Sequence, residues 1–198
     1  MHKPAVIVVL WAFATLVAAG GQSPAQDSAR NEAFIGPVVK ITSIDQRLGV
    51  MAGLRGSWPV GRSLALGFGL YTLLNKIDAP EGVLPQEGPL DIDLSYLGLE
   101  LEYFLNPESQ TRFSLTALLG GAATRFVKDT GSTFKSSEQV WETAFLWVAE
   151  PGGNAEWTIA KWLRLTAGVS YRLASKPKKE WLEEVNFSGP AATIAVKF

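Results

Sequence analysis

The sequence predicts an all-β fold: a closed antiparallel barrel of about eight strands with up-and-down topology. Apolar and polar residues alternate with period two along nearly the whole chain after Ala25, the signature of strands with two unlike faces. No stretch beyond the N-terminal region is long and apolar enough for a spanning helix. The polar half of the alternation mixes glycine with charges of both signs, a composition that suits a narrow interior better than a solvated surface.

A chain of 198 residues allows one domain. Lys3 precedes the apolar run from Ala5 to Ala19, and small and polar residues follow through Ala25. That order reads as an export signal, since the run of about fifteen residues falls short of the roughly twenty that cross a bilayer. Cleavage is expected after Ser23-Pro24-Ala25, with Ala18-Ala19-Gly20 as the other candidate region and an uncleaved anchor helix as the competing reading. The expected organisation is a signal peptide over 1–25 and a barrel domain over 26–198.

The strands follow in order. Phe34 to Ser43 sets Val39 and Ile41 opposite Lys40 and Thr42, with Pro37 removing one ladder donor. Leu48 to Trp58 sets Leu48, Val50, Ala52, Leu54 and Trp58 against Gly49, Met51, Gly53, Arg55 and Ser57, before a turn over Pro59 to Arg62. Ser63 to Leu74 carries Leu64, Leu66, Phe68 and Leu70 opposite Ala65, Gly67, Gly69 and Tyr71; a loop is expected over Asn75 to Asp91. Ile92 to Leu105 sets Leu97, Leu99, Leu101, Tyr103 and Leu105 against Tyr96, Gly98, Glu100 and Glu102, and Asn106-Pro107-Glu108-Ser109 turns the chain. Arg112 to Phe126 returns, followed by a polar loop over Val127 to Glu138. Val140 to Ile159 contains Pro151-Gly152-Gly153 and reads either as one long bulged strand or as a hairpin turning at Gly152-Gly153. Trp162 to Leu173 alternates most cleanly; a charged loop over Ser175 to Asn186 leads to a last strand from Phe187.

Alternation alone does not say which face is outside. The polar set holds Gly49, Gly53, Gly67, Gly69, Gly98, Gly120 and Gly168 beside large charges, so that set is expected to fill a lumen and the apolar set to face lipid. Lys40, Arg55, Arg112, Arg164, Arg172 and Lys197 would meet Glu100, Glu102, Glu150 and Glu156 there, because buried charges must pair. A salt-bridged plug, rather than an open pore, is the expectation; charges solvated near the barrel ends are the alternative for any one residue. Trp58, Tyr103, Trp141, Trp162 and Tyr171, together with Trp147 and Trp157, fall mostly near strand ends and read as interface aromatics.

The terminal Ala191-Ala192-Thr193-Ile194-Ala195-Val196-Lys197-Phe198 resembles the carboxy-terminal assembly signal of bacterial outer-membrane β-barrels. Leu97 to Tyr103, Glu150 to Glu156 and Trp162 to Arg172 resemble small barrels of the broad opacity and OmpA-like class. The resemblance implies an outer-membrane location, lipid and lipopolysaccharide as surroundings, and engagement of the barrel-assembly machinery by Ile194, Val196 and Phe198. The large periplasmic domain of OmpA itself has no counterpart, so cell-wall tethering is not implied.

Chemistry is sparse. There is no cysteine, and the single histidine is His2, inside the export signal. Acyl-transfer triads and His- or Cys-ligated metals are therefore not expected in a processed chain, and no cofactor or metal is expected. Glu100 and Glu102 form a carboxylate pair, better read as balancing lumenal cations than as acid and base. Asp78, Asp91, Asp93 and Asp129 match no calcium-loop spacing. Lys176, Lys178 and Lys179 are offset by Glu180, Glu183 and Glu184 and read as a self-paired loop. With 18 Lys and Arg against 19 Asp and Glu, nucleic acid is not an expected partner. The expected function is non-enzymatic: a plugged outer-membrane barrel carrying loops for surface interaction or envelope integrity. A narrow solute channel and a soluble periplasmic barrel with an apolar ligand are the alternatives.

Overall fold

The computed structural model describes residues 33–79, 90–128, 139–160, 162–176 and 185–198. Its strands are β1 (Phe34–Ile44), β2 (Arg47–Pro59), β3 (Leu64–Leu73), the two-residue β4 (Ile77–Asp78), β5 (Leu90–Phe104), β6 (Thr111–Lys128), β7 (Gln139–Ala160), β8 (Leu163–Ala174) and β9 (Gly189–Lys197). All pairings are antiparallel. β3 pairs with β5 and β1 with β9, so eight strands close into an up-and-down barrel, with β4 paired to the rim of β5. Closure leaves no open sheet edge in the shared part of the barrel, a condition for strands to lie in lipid. Stepping between paired residues from Phe34 once around the barrel returns to β1 about ten residues further on, the stagger that tilts the strands and leaves room inside only for side chains.

The strands run past several expected boundaries. β5 begins at Leu90 and β6 continues to Lys128, where loops are expected through Asp91 and from Val127. The cause is burial: Leu90, Ile92, Leu94 and Phe126 all point into the barrel. β7 is one strand through Pro151-Gly152-Gly153, with no hairpin. Gly152 and Gly153 pair with Thr116 and Leu115 on one side and with Ser170 and Val169 on the other. Its irregularities fall near its ends, opposite Phe126/Val127 and at Thr158/Ala160. β9 starts at Gly189 rather than Phe187, because the Phe187 ring tucks into the barrel mouth instead of extending the ladder.

The outer face is apolar over most of its height. Leu97, Leu99, Leu101, Leu115, Leu119, Val169 and Ile194 are all exposed, as are Trp58, Tyr103, Trp162 and Tyr171. Trp58, Tyr103 and Trp162 stand near the end that carries Phe34 and Phe198, here the terminal end, and Phe145 and Trp147 stand toward the opposite, loop-bearing end. Bands of large apolar side chains bounded by aromatic rings mark a transmembrane barrel. Trp141 lies on β7, but its side chain is outside the described residues, as are 1–32, Asp129, Lys178, Lys179, Glu180, Glu183 and Glu184.

Toward the loop end the pattern inverts. On β5 the outward positions change from Leu97, Leu99 and Leu101 to Asp91, Asp93 and Ser95, while the inward ones change from Glu100 and Glu102 to Leu90, Ile92 and Leu94. Ile44, Met51, Leu73, Ile77, Phe126, Ala144, Leu146, Val148, Val185 and Phe187 complete this apolar plug. Outside it, Arg47 pairs with Asp78 at 3.2 Å and Lys76 with Asp91 at 3.2 Å, the ordinary surface of a protein in water. The barrel thus rises out of the lipid, and its inside and outside exchange character where it does so.

β1 and β2 are joined through Asp45 and Gln46, both with positive φ (48° and 62°). This is the twist that a two-residue hairpin requires, and it favours glycine at the second position. Gln46 holds it at a steric cost of about 1–2 kcal/mol. Gln46→Gly is expected to raise stability by about 0.5–1 kcal/mol after the added unfolded-chain entropy is subtracted. The midpoint of urea unfolding in lipid vesicles, followed by tryptophan fluorescence, measures it.

Candidate functional site: the charged lumen

The lower two-thirds of the interior is polar because period-two alternation turns one residue in two inward, and on β1, β2, β5, β6, β7, β8 and β9 those residues include charges. Lys40, Arg55, Glu100, Glu102, Arg112, Glu150, Glu156, Arg172 and Lys197 are buried, and Arg164 is partly exposed at the terminal end. Three stacked groups result.

At the terminal end, Glu156 lies between Lys197, at 2.7 Å, and Arg112, with Arg164 Nε at 3.9 Å. Lys197 also donates to Glu102 Oε2 at 3.4 Å and stands 4.1 Å above the Phe34 ring; Arg112 stacks 5.0 Å from the Phe104 ring. One level up, Arg55 Nε donates to Glu100 Oε1 at 2.6 Å, its Nη2 lies 3.8 Å from Glu102, and Ser114 donates to Glu102 at 2.7 Å. Above that, Lys40 pairs with Glu150 at 2.5 Å and donates to Tyr96 Oη at 2.7 Å; Tyr96 and Ser170 both donate to Glu150, at 2.7 and 2.6 Å. Tyr71 stacks on Tyr96 at 4.8 Å and offers its ring face to Lys40 at 3.8 Å.

Small residues make this packing possible. A Cβ on Gly69 would meet the Tyr71 ring at 2.7 Å, and one on Gly98 would meet the Leu119 carbonyl oxygen at 2.6 Å. Gly69 of β3 therefore leaves the volume that the Tyr71 ring fills, and Gly98 of β5 lets the β6 backbone come close.

Arg172 stands apart. It is completely buried beneath the apolar plug, donates from Nε to the Phe187 carbonyl at 2.8 Å and from Nη2 to the Ser43 carbonyl at 3.0 Å, and places Nη1 3.7 Å from Met51 Sδ. Backbone carbonyls, rather than a carboxylate, receive this guanidinium.

Little free space remains. A cavity of about 20 Å³ is lined by Lys40, Arg55, Tyr71, Glu100, Asn154 and Glu150, and one of about 10 Å³ lies by Phe34, Arg112, Glu156 and Lys197. The larger has room for about one water molecule. Glu100 and Glu102, the carboxylate pair, are held by Arg55 on Glu100 Oε1 and by Ser114 and Lys197 on the two oxygens of Glu102, a structural arrangement. Among the described residues no cluster of three metal-ligating side chains exists. Asp78 and Asp91 are taken up by Arg47 and Lys76, and Lys176 is exposed.

Sequence reasoning did not single out Tyr71, Tyr96, Ser114 and Ser170 as members of this network. All four occupy inward positions beside charged residues, and a search for hydroxyls on the charge-bearing face would have found them. The apolar plug had a signal as well: Leu90, Ile92 and Leu94 continue the alternation of β5 in the opposite phase to Leu97, Leu99 and Leu101. Ile194 points outward, and Val196 and Phe198 are half-buried at the seam end of β9.

Fold and site together define a small eight-stranded transmembrane barrel with a closed, salt-bridged lumen. No family model matches the chain, and a search of curated proteins also finds no match. Among solved structures it is similar to Neisserial surface protein A, at a TM-score of 0.56 with 14% identity over 83% of this chain and 93% of that one. The outer membrane protein OprG of Pseudomonas aeruginosa gives 0.53 with 15% identity, covering 87% and 99%. The N-terminal β-barrel domain of Pseudomonas aeruginosa OprF gives 0.50 with 11% identity, covering 84% and 97%. The shared property is the fold, that of small outer-membrane barrels.

Removing one partner of a buried pair leaves the other charge uncompensated, at a cost of about 3–5 kcal/mol. Glu150→Leu is expected to destabilise the barrel by about that amount, whereas Glu150→Leu combined with Lys40→Met recovers most of it. Denaturant unfolding of the single and double variants in the same lipid tests the coupling.

Proposed function

We propose that the chain is a non-enzymatic integral protein of the bacterial outer membrane whose closed barrel carries loops for surface interaction or envelope integrity. The observation that carries this reading is the double closure of the lumen: three salt-bridged groups from Lys197 to Lys40, then an apolar plug from Met51 to Phe187. A barrel so filled is suited to holding its rim in place. The exposed Leu165 and Val169 of β8 weigh against a soluble carrier, which would turn them inward.

The reading includes export through cleavage before Gln26 and insertion by the barrel-assembly machinery through the terminal strand. Lipid and lipopolysaccharide are its proposed surroundings. Purified protein in planar bilayers is expected to give no reproducible single-channel steps; regular steps in the native protein would establish the narrow-channel alternative instead. Phe198→Ser is expected to lower the amount of heat-modifiable barrel in outer membranes severalfold while leaving synthesis and export unchanged, as quantified by gel shift and fractionation.

A further inference from the structure

We infer that Val185–Ser188, the described segment leading into β9, is a displaceable stopper for the loop end of the barrel, latched from below by Arg172. The segment belongs to no strand, and the β8–β9 ladder begins only at Arg172 and Gly189. It nevertheless buries two apolar side chains, Val185 and Phe187, in the centre of the plug. Short side-chain and single backbone contacts hold it. Arg172 Nε donates to the Phe187 carbonyl at 2.8 Å, Asp45 N to the Asn186 carbonyl at 2.8 Å, Asn186 N to Asp45 Oδ1 at 3.3 Å, and Ala174 N to Ser188 Oγ at 3.0 Å.

An element that fills a barrel without joining its ladder can leave without breaking the ladder, so its opening is a local event. The Arg172 guanidinium couples two such elements: through Ser43 it also reaches β1 just before the Asp45-Gln46 turn, against which the stopper rests. Arg172 is therefore a positioning residue, its charge spent on carbonyls of the parts that must stay put. Displacement of the stopper uncovers the apolar vestibule lined by Ile44, Leu73, Leu94, Ala122 and Leu146. The charged groups below remain closed, so the barrel changes the surface it offers outward without becoming a pore.

The chain has no cysteine, so a single introduced thiol reports the opening cleanly. Ala122→Cys places it inward, beneath the stopper, at a site now buried. In lipid vesicles, this protein is expected to react slowly with a small water-soluble maleimide. Adding Arg172→Met is expected to speed labelling about tenfold, the effect of one lost charge-assisted hydrogen bond on a local opening equilibrium. Arg172→Lys, which keeps the charge and a donor, is expected to restore most of the protection, and Ser188→Ala, which removes the hydroxyl that accepts from Ala174 N, is the second route to the open form. Heat-modifiable migration shows in each case that the barrel is folded. Fast labelling of Ala122→Cys alone, or unchanged labelling in folded Arg172→Met and Ser188→Ala proteins, overturns the inference.

Discussion

At the height of the apolar belt, a side chain that points into this barrel has left bulk water and has a lipid-facing wall behind it. A charge in that position must find its partner within the bore, an opposite charge for most and backbone carbonyls for Arg172, and the bore of an eight-stranded barrel is only a few side chains wide. Most of the rest of the structure is a consequence. Glu102 and Glu156 each collect cations from strands far apart in sequence, Arg55 and Lys197 for the one, Arg112 and Lys197 for the other. Their contacts cross the barrel and fix which strand faces which. Glycines on β3 and β5 are needed because the Tyr71 ring, at Gly69, and neighbouring backbone, at Gly67 and Gly98, leave no volume for a Cβ beside them.

The constraint ends where the membrane does. Beyond Leu97 on β5 the neighbours outside are water and polar groups, so Asp91 and Asp93 can face out and Ile92 and Leu94 can fill the centre. The strands are continuous across this boundary, and only the phase of the alternation relative to the wall has changed. One chain thus builds two cores end to end: a polar core surrounded by an apolar belt, and an apolar core surrounded by polar residues. Tyr71 and Tyr96 lie at the junction, offering rings to the apolar side and, through Tyr96, a hydroxyl to the Lys40–Glu150 pair.

The strands and their closed meander were legible in the sequence because period-two alternation needs no knowledge of partners. Leu163, Leu165 and Ala167 with Arg164 and Thr166 between them state their own faces once lipid is assumed outside. Partners were less legible. Nothing local to Glu150 says that Tyr96, fifty-four positions away, will donate to it, since that depends on the stagger of the whole barrel. The loop-end plug was harder to read for another reason: Ile92 and Leu94 share the inward phase of Tyr96, Glu100 and Glu102, and only the height at which the strand leaves the bilayer explains why that face turns apolar there. Phe187 read as the start of the last strand, but Arg172, which donates to its carbonyl, is fifteen positions upstream. The Asp45-Gln46 turn lacked the usual glycine and so gave no local signal.

The ladder between β1 and β9 joins the first and last strands through Val38 to Thr42 and Ala191 to Ala195, far fewer residues than β6 and β7 share. Pro37 stands at its edge without an amide hydrogen to contribute. This seam joins the first and last strands of the barrel, so it is the ladder of greatest sequence separation and the one whose closure costs the most chain freedom. Until it forms, the inward charges have only part of their partners and the wall has two raw edges. Completion of the cylinder and neutralisation of its bore are therefore a single late event, and the short stretch where β1 meets β9 is where a nearly finished barrel is most easily kept open.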